Sequence, residues 1–138
     1  MIHKSITAAT SDDRGQISDI LYKSTFQHAA IIESKGGGII RGNHYHKHTT
    51  QHIFLTKGSL RYWYQPLDKS DEVKGVLVRG YELVSTPPNE VHALEILEPT
   101  QFIVFSDGIR GGQDYESDTY RVDPILTAEM LEKPLRRT

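Results

Sequence analysis

The residues best suited to chemistry stand together in the stretch RGNHYHKHTTQH, residues 41–52. This stretch holds four of the seven histidines of the chain, namely His44, His46, His48 and His52. Imidazole is a common ligand for metal ions, and its ordinary pKa of about 6.5 lets it transfer protons at neutral pH. These four histidines can therefore bind a metal, move a proton on a substrate, or lie on the surface without a chemical role.

The spacing of the histidines places two of them on one face of a strand. Side chains two residues apart in a strand point in the same direction, so His44 and His46 project together, with Tyr45 on the opposite face. Two imidazoles alone make a weak metal site. Gln51 and His92, each entering a later predicted strand, are the candidates for further ligands at about 2.0–2.1 Å from a divalent ion.

The other histidines lack this arrangement. His48 and His52 fall outside the two-residue alternation or opposite Gln51, and they are expected at a solvated rim. His3 and His28 stand alone in the sequence, so a structural role is expected for both.

The elements that must position these side chains are short strands. Runs such as HAAIIES, QHIFLTKG, KGVLVRGYELV and TQFIVFSDG are rich in β-branched and aromatic residues, and Gly, Pro, Asp or Asn bounds them. Many such strands predict an all-β sandwich or jelly-roll barrel. Only the C-terminus is typical of a helix, since Asp123 can cap it, Pro124 suits the first turn, and ILTAEMLEK follows.

Composition excludes several classes of protein. The 138 residues suffice for one core, so residues 1–138 are expected to form a single domain. The formal net charge of −2 offers no basic surface for nucleic acid. The absence of cysteine excludes disulfides, thiolate ligands and a cysteine nucleophile. No run approaches the roughly 18 apolar residues of a membrane span, and no export signal is evident, so a cytoplasmic protein without membrane partners is predicted.

Two motifs resemble those of the cupin family. Gly38, five residues, HYH, four residues, Gln51, six residues and Gly58 are similar to the first cupin motif, in which Gln51 replaces the usual glutamate. The stretch GYELVSTPPNEVH, residues 80–92, is similar to the second motif, and the matched region extends to residue 96. Asn89 stands where cupins usually have Gly, and Ile96 stands where they usually have Asn.

The cupin resemblance carries several expectations. It implies a single jelly-roll barrel with a short C-terminal helix, and a homodimer. It implies metal ligands at His44, His46 and His92, with Gln51 as a weaker fourth because an amide oxygen supplies only a dipole. Three histidines and an amide suit Zn, Ni, Mn or Fe, and no organic cofactor is expected.

The residues that surround these histidines in the sequence resemble the sugar-nucleotide branch of cupins. The stretch RGNHYHK is similar to the motifs of dTDP-sugar 3,4-ketoisomerases, dTDP-4-dehydrorhamnose 3,5-epimerases and the cupin domains of capsule-sugar enzymes. The resemblance implies that His44 is the catalytic base, that His46 orients it or returns the proton, and that Arg41 pairs with a diphosphate. Tyr62 or Tyr45 is expected to supply a phenolic donor. SLRYWYQ lacks the acid that the epimerases carry there, which counts against 3,5-epimerase activity.

Two functions of different classes follow. The first is an isomerase or epimerase of polysaccharide biosynthesis that removes a proton next to the ketone of a nucleotide-activated keto-deoxy sugar, where histidine is the natural base. The second is a metal-binding cupin that binds a sugar or small acid without turnover. An oxygen-activating iron cupin is a third reading, and the sugar-type flanking motif disfavours it.

Overall fold

The structure is a computed structural model that describes residues 1–109, 111–114 and 116–131. Strands dominate it, and they are β1 (Ile2–Ser5), β2 (Ala8–Asp12), β3 (Gly15–Ser18), β4 (His28–Ser34), β5 (Ile40–Tyr45), β6 (Thr50–Lys57), β7 (Ser59–Pro66), β8 (Lys74–Arg79), β9 (Glu82–Thr86), β10 (Glu90–Ile96), β11 (Thr100–Asp107) and β12 (Tyr120–Arg121). A short 3₁₀ turn covers Gly112–Asp114, and one helix, α1, covers Ala128–Leu131.

The strands form two facing antiparallel sheets. Sheet A has five strands in the order β1-β9-β6-β11-β4, and sheet B has five in the order β12-β5-β10-β7-β8. Strands β2 and β3 pair only with each other, as a hairpin whose residues are almost all exposed. Neighbouring strands in each sheet are mostly distant in sequence, as a jelly roll requires. The all-β jelly roll expected from the sequence is therefore confirmed.

The core lies between the two sheets and follows the alternation of strand side chains. In β11 the pattern of burial alternates strictly, so that Phe102 and Val104 face inward while Ile103 and Phe105 face outward. The central cluster consists of ten buried residues: Ile53, Leu55, Leu60, Tyr62, Val78, Val84, Leu94, Ile96, Phe102 and Val104. Each fully buried side chain of this kind contributes about 1.5–3 kcal/mol to stability.

The C-terminal helix begins later than the sequence indicated. The prediction that Asp123 caps a helix with Pro124 in its first turn is wrong, because α1 begins at Ala128, where the backbone N–H of Met130 donates to Thr127. The preceding Ile125 and Leu126 are held in a non-helical conformation by hydrogen bonds to a side chain of β5. Residues 132–133 of the predicted helix lie outside the described residues.

Within the described part of the chain, no helix combines the length and the apolar character needed to cross a membrane.

Candidate functional site

Three histidines meet where β5 ends and β10 begins. His92 lies directly opposite His44 in the register of these two strands, and His46 follows the last residue of β5. The ring centroids are 4.8 Å apart for His44 and His92, 4.9 Å for His44 and His46, and 5.4 Å for His46 and His92. The structure thus brings together the three histidines that the motifs indicated, although His44 and His92 are 48 residues apart in the sequence.

A bulge brings the two strands into this arrangement. The register of β5 and β10 shifts between His92 and Ala93, and Gly42 and Asn43 both have left-handed φ angles, of 92° and 60°. A Cβ atom on Gly42 would lie 2.8 Å from the carbonyl oxygen of His92. Only glycine allows both this conformation and this close approach at no steric cost. The dipeptide Gly42-Asn43 therefore sets the direction in which His44 leaves the strand.

Backbone carbonyls fix which ring nitrogen of two histidines carries the proton. Nδ1 of His46 lies 2.7 Å from the carbonyl oxygen of Asp118, and Nδ1 of His92 lies 3.2 Å from that of Glu90. A carbonyl oxygen can only accept a hydrogen bond, so Nδ1 must be the protonated nitrogen in each ring. The lone pair of the neutral ring is then on Nε2 in both residues.

Asp118 also holds the turn that follows His46. Its carboxylate accepts hydrogen bonds from the backbone N–H groups of Lys47 and His48, both at 2.9 Å, and from the hydroxyl of Thr49 at 2.7 Å. Burial of Asp118 acts to raise its pKa, but these hydrogen bonds and the nearby His46 outweigh it and leave the pKa below its ordinary value of 3.8. Asp118 is therefore an anion that lies against the histidine segment, residues 41–52.

The histidines border a cavity of about 360 Å³ between the two sheets. His44 and His92 contribute to its wall together with Gln51, whereas His46 has no exposed surface and lies beside them. One part of the wall is apolar and consists of Ala30, Ile32, Ile40, Ile53, Leu94, Phe102 and Val104. The cavity is of the size that small-molecule sites usually have, with a few polar groups converging on an apolar pocket.

The side chains of Gln51 and Arg41 are both tied to neighbours at this cavity. Gln51 is buried, and its Nε2 donates to Ser106 Oγ at 3.4 Å. Arg41 lies at the rim, where Nε donates to Ser34 Oγ at 2.9 Å and Nη2 donates to the carbonyl of Glu33 at 3.1 Å. The guanidinium of Arg41 is thereby held at the cavity, and its charge is not paired by these neutral acceptors.

The structure places both candidate tyrosines away from the cavity wall. Tyr62 is fully buried, its hydroxyl is bonded to Thr86 at 2.6 Å and Glu90 at 3.2 Å, and burial raises the pKa of the phenol well above 10. Its ring stacks on His92, with centroids 5.9 Å apart and planes 12° apart. Tyr45 stacks instead on Tyr120, at 5.3 Å. Tyr62 thus packs against the ring of His92 and is not part of the cavity lining.

Several residues of the wall had no predicted role. Arg121 and Glu116 line the cavity and form an ion pair of 3.1 Å, and Ser106 and His28 line it as well. The structural role expected for His28 stays a prediction, and its side chain is part of the cavity lining. Arg121 reaches the site because β12 pairs with β5 and sets Arg121 opposite His44. A two-residue strand leaves no periodic signal in the sequence.

The remaining histidines are separate from the cluster. His48 is exposed, as expected. His52 is half-buried on the outer face of sheet A, where Nδ1 lies 2.7 Å from Ser85 Oγ, and burial lowers its pKa. His3 pairs with Glu82 at 2.7 Å.

The three histidines fit the donor set of a divalent transition metal. Their candidate ligand atoms lie within 4.8 Å of one another, and Nε2 is the lone-pair nitrogen in two of them. A shared ion with bonds of about 2.1 Å keeps its ligand nitrogens within about 4.2 Å, so small side-chain shifts would complete the site. Carbonyl-bound Nδ1–H groups are also the usual support of metal-binding histidines.

No protein-family model matches this sequence, and no curated protein matches it. Solved structures do share its fold. The 3,4-ketoisomerase QdtA from Thermoanaerobacterium thermosaccharolyticum, in complex with TDP, has a TM-score of 0.70 at 19% identity, over 88% of this chain and 86% of that one. The dTDP-4-dehydrorhamnose 3,5-epimerase from Bacillus anthracis, with TDP and PPi bound, has a TM-score of 0.70 at 18% identity, over 92% and 89%.

The capsular polysaccharide assembling protein CapF from Staphylococcus aureus has a TM-score of 0.62 at 22% identity, over 87% of this chain. This chain spans only 33% of CapF. At identities below 25% these likenesses establish the fold, which is the cupin-like jelly roll that the two sequence motifs indicated.

Proposed function

We propose that this protein is an isomerase or epimerase that acts on a nucleotide-activated keto-deoxy sugar in polysaccharide biosynthesis, and that residues 1–138 act as one domain. The observation that carries the proposal is the cluster of His44, His46 and His92 at a cavity of about 360 Å³. The same fold in a 3,4-ketoisomerase and a 3,5-epimerase, each solved with TDP, supports the choice of substrate class.

The reaction begins with His44 as the general base. It removes the proton from the carbon next to the ketone and leaves an enolate, whose oxygen needs a nearby donor. Delivery of a proton to the same carbon from the other face, by an acid other than His44, inverts that carbon. Delivery of a proton by His44 to the former carbonyl carbon, with the neighbouring hydroxyl proton passing to the other oxygen, moves the ketone. Deuterium enters the sugar when the delivering group has exchanged its proton with D₂O. Neither route needs an oxidant or a reductant.

The other histidines have different roles in this proposal. His46 has no exposed surface, so it orients His44 or exchanges a proton with it rather than touching the sugar. His92 lies at the cavity wall opposite His44, and because its proton is on Nδ1, its Nε2 is placed to accept the proton of the neighbouring sugar hydroxyl. Tyr62 acts through its stacking on His92 and does not donate to the substrate.

The rim of the cavity suits the diphosphate of the substrate. Arg41 and Arg121 are both part of the cavity lining, and the planar guanidinium group binds phosphate oxygens through paired hydrogen bonds. Either Arg41→Gln or Arg121→Gln should weaken the binding of dTDP, and the loss should shrink as salt is added because the interaction is electrostatic. Equal affinity in wild type and both variants would remove the rim from the proposal.

The test is incorporation of deuterium. The protein is incubated in D₂O with dTDP-4-keto-6-deoxyglucose, with and without a chelator, and the mass of the sugar is followed. His44→Asn should abolish the uptake, whereas His48→Asn, an exposed histidine of the same segment, should leave it unchanged. Uptake that persists in His44→Asn would show that His44 is not the base.

The alternative is a metal-binding protein without turnover, and the fixed tautomers of His46 and His92 favour it specifically. His44, His46 and His92 would hold the ion, with Gln51 as a possible fourth ligand from the same wall. A bound ion would stabilise the enolate as a Lewis acid if the protein is an enzyme. His46→Ala should then lose co-purified Zn, Ni, Mn or Fe that His48→Ala retains. Protein that stays metal-free after reconstitution would exclude this alternative.

The proposal includes a homodimer formed through the outer face of sheet A. Along neighbouring strands this face presents Ile103 and Ile31, and Phe26 packs edge-on against Phe105 beside them. Ile31 is 64% exposed, and an apolar face of this kind marks an interaction surface. Light scattering should give twice the chain mass for wild type and for Leu67→Glu, but the mass of one chain for Ile31→Glu. A cytoplasmic setting stays a prediction from the sequence.

A further inference from the structure

The segment 116–126 is bound to the histidine segment by more contacts than a two-residue strand would supply. Tyr120 pairs with Tyr45 in register and stacks on it, and the ammonium of Lys47 lies 4.3 Å from the centre of the Tyr120 ring. Asp118 adds four hydrogen bonds that involve residues 46–49. The contacts of Asp118 differ from the rest because they converge on one of the site histidines.

The carboxylate and the backbone carbonyl of Asp118 contact different parts of the same turn. The carboxylate binds the backbone and hydroxyl groups of residues 47–49, whereas the backbone carbonyl accepts the Nδ1 proton of His46. Because the carboxylate fixes residue 118 against the turn, the carbonyl is held at 2.7 Å from the ring. The backbone of His46 is held as well, since its carbonyl accepts a hydrogen bond from Asn89 N–H at 2.7 Å.

We propose that Asp118 is the positioning residue of the histidine cluster: it locks the turn 47–49 so that its own carbonyl selects the Nδ1–H form of His46 and turns Nε2 toward His44 and His92. Asp118 does not touch the substrate in this account. It acts through His46, and a histidine held by such a partner usually loses about 10- to 100-fold in activity or metal affinity when the partner is removed. This inference rests on the proposed function only for its activity readout.

The direct test is the protonation state of His46 by ¹⁵N NMR of histidine-labelled protein, assigned by comparison with His46→Ala. Wild type should carry the proton on Nδ1 of His46. In Asp118→Ala the signal should move to the Nε2–H form or to an average of both, because the released turn no longer holds the carbonyl at the ring. Asp123→Ala is the matched control, since Asp123 is an exposed acid of the same segment.

Two further variants keep the test valid if Asp118→Ala fails to fold. Asp118→Asn retains the shape and one acceptor oxygen, and Thr49→Val removes a single hydrogen bond without changing Asp118. Both should shift the His46 signal in the same direction by less. A wild-type proton on Nε2, or a folded Asp118→Ala with an unchanged Nδ1–H signal, would overturn the proposal.

The activity readout separates this inference from the proposed function. If the chain exchanges the sugar proton, Asp118→Ala should lower the rate about 10-fold or more and leave the affinity for dTDP within about twofold, since residue 118 is not part of the cavity lining. A tautomer shift in a protein that exchanges no proton would support the positioning role and contradict the proposed reaction. A lost rate with an unchanged tautomer would contradict the positioning role alone.

Discussion

Asn43 should contribute to stability through three hydrogen bonds of its side chain. Its amide Nδ2 donates to the carbonyl of Leu126 at 2.9 Å, and its Oδ1 accepts from the N–H groups of Ile125 and Leu126 at 3.0 and 3.2 Å. These bonds attach the C-terminal segment to the outer face of sheet B, where Leu126 is only 3% exposed. The replacement Asn43→Ala removes all three.

The expected magnitude follows from two terms. Three hydrogen bonds at about 0.5–1.5 kcal/mol each, two of them sharing one oxygen, give about 1.5–3.5 kcal/mol. Asn43 also has a φ of 60°, and alanine tolerates this left-handed conformation less well than asparagine by up to about 1 kcal/mol. The free energy of unfolding should therefore fall by about 2–4 kcal/mol.

The assay is urea unfolding followed by fluorescence of the single tryptophan, with Asn89→Ala as the control. Asn89 has nearly the same φ, 63°, but in the described part of the chain its side chain makes no hydrogen bond. Asn89→Ala should thus lose only the conformational term, about 1 kcal/mol. Asn43→Gly, which relieves the strain, should recover that term and no more. Equal losses in Asn43→Ala and Asn89→Ala would show that the three hydrogen bonds of Asn43 add nothing to stability.

Two further predictions concern the bulge and the edge of sheet A. Gly42→Ala should lower the free energy of unfolding by about 1–3 kcal/mol from backbone strain alone, and by more because of the contact with His92. Gly36→Ala, with nothing within 4 Å of the added Cβ, should be nearly neutral in urea unfolding. Equal losses in the two variants would contradict the role of the bulge. Burial acts to raise the pKa of Glu82, but hydrogen bonds from the His3 ring and a backbone N–H outweigh it and leave the pKa below 4.5. Because the folded-state pKa is lowered, this stabilisation is present above about pH 4.5 and is lost as the pH falls through the lowered pKa. Unfolding at several pH values should show a gap between wild type and Glu82→Gln that is full at pH 7 and closes in acid, and a gap independent of pH would contradict it.

The fold and the three histidines of the site could be predicted from the sequence for a physical reason. Alternation along strands determines which side chains share a face, so the two-residue spacing placed His44 and His46 together. The pairing of His44 with His92 needed more than alternation, because it depends on which strands are neighbours. The motif resemblance supplied that information.

Other features could not be read from the sequence because they depend on backbone irregularities and long-range contacts. The helix predicted from Asp123 onward competes with three hydrogen bonds to Asn43, which lies some 80 residues earlier. Arg121 enters the cavity through a strand of two residues. Tyr62 was a reasonable candidate donor by residue type, yet its place on the inward face of a central strand makes it a buried support for His92.

The role of His44 as the base is tested by the position of deuterium in dTDP-4-keto-6-deoxyglucose after incubation with the protein in D₂O. In this sugar the carbons next to the ketone are C3 and C5, so NMR of the recovered sugar distinguishes the outcomes. Deuterium is expected at C3 or at a carbon reached from it by movement of the ketone, and none is expected when His44 is replaced by asparagine. A sugar that is bound by the wild-type protein but stays free of deuterium would contradict this role.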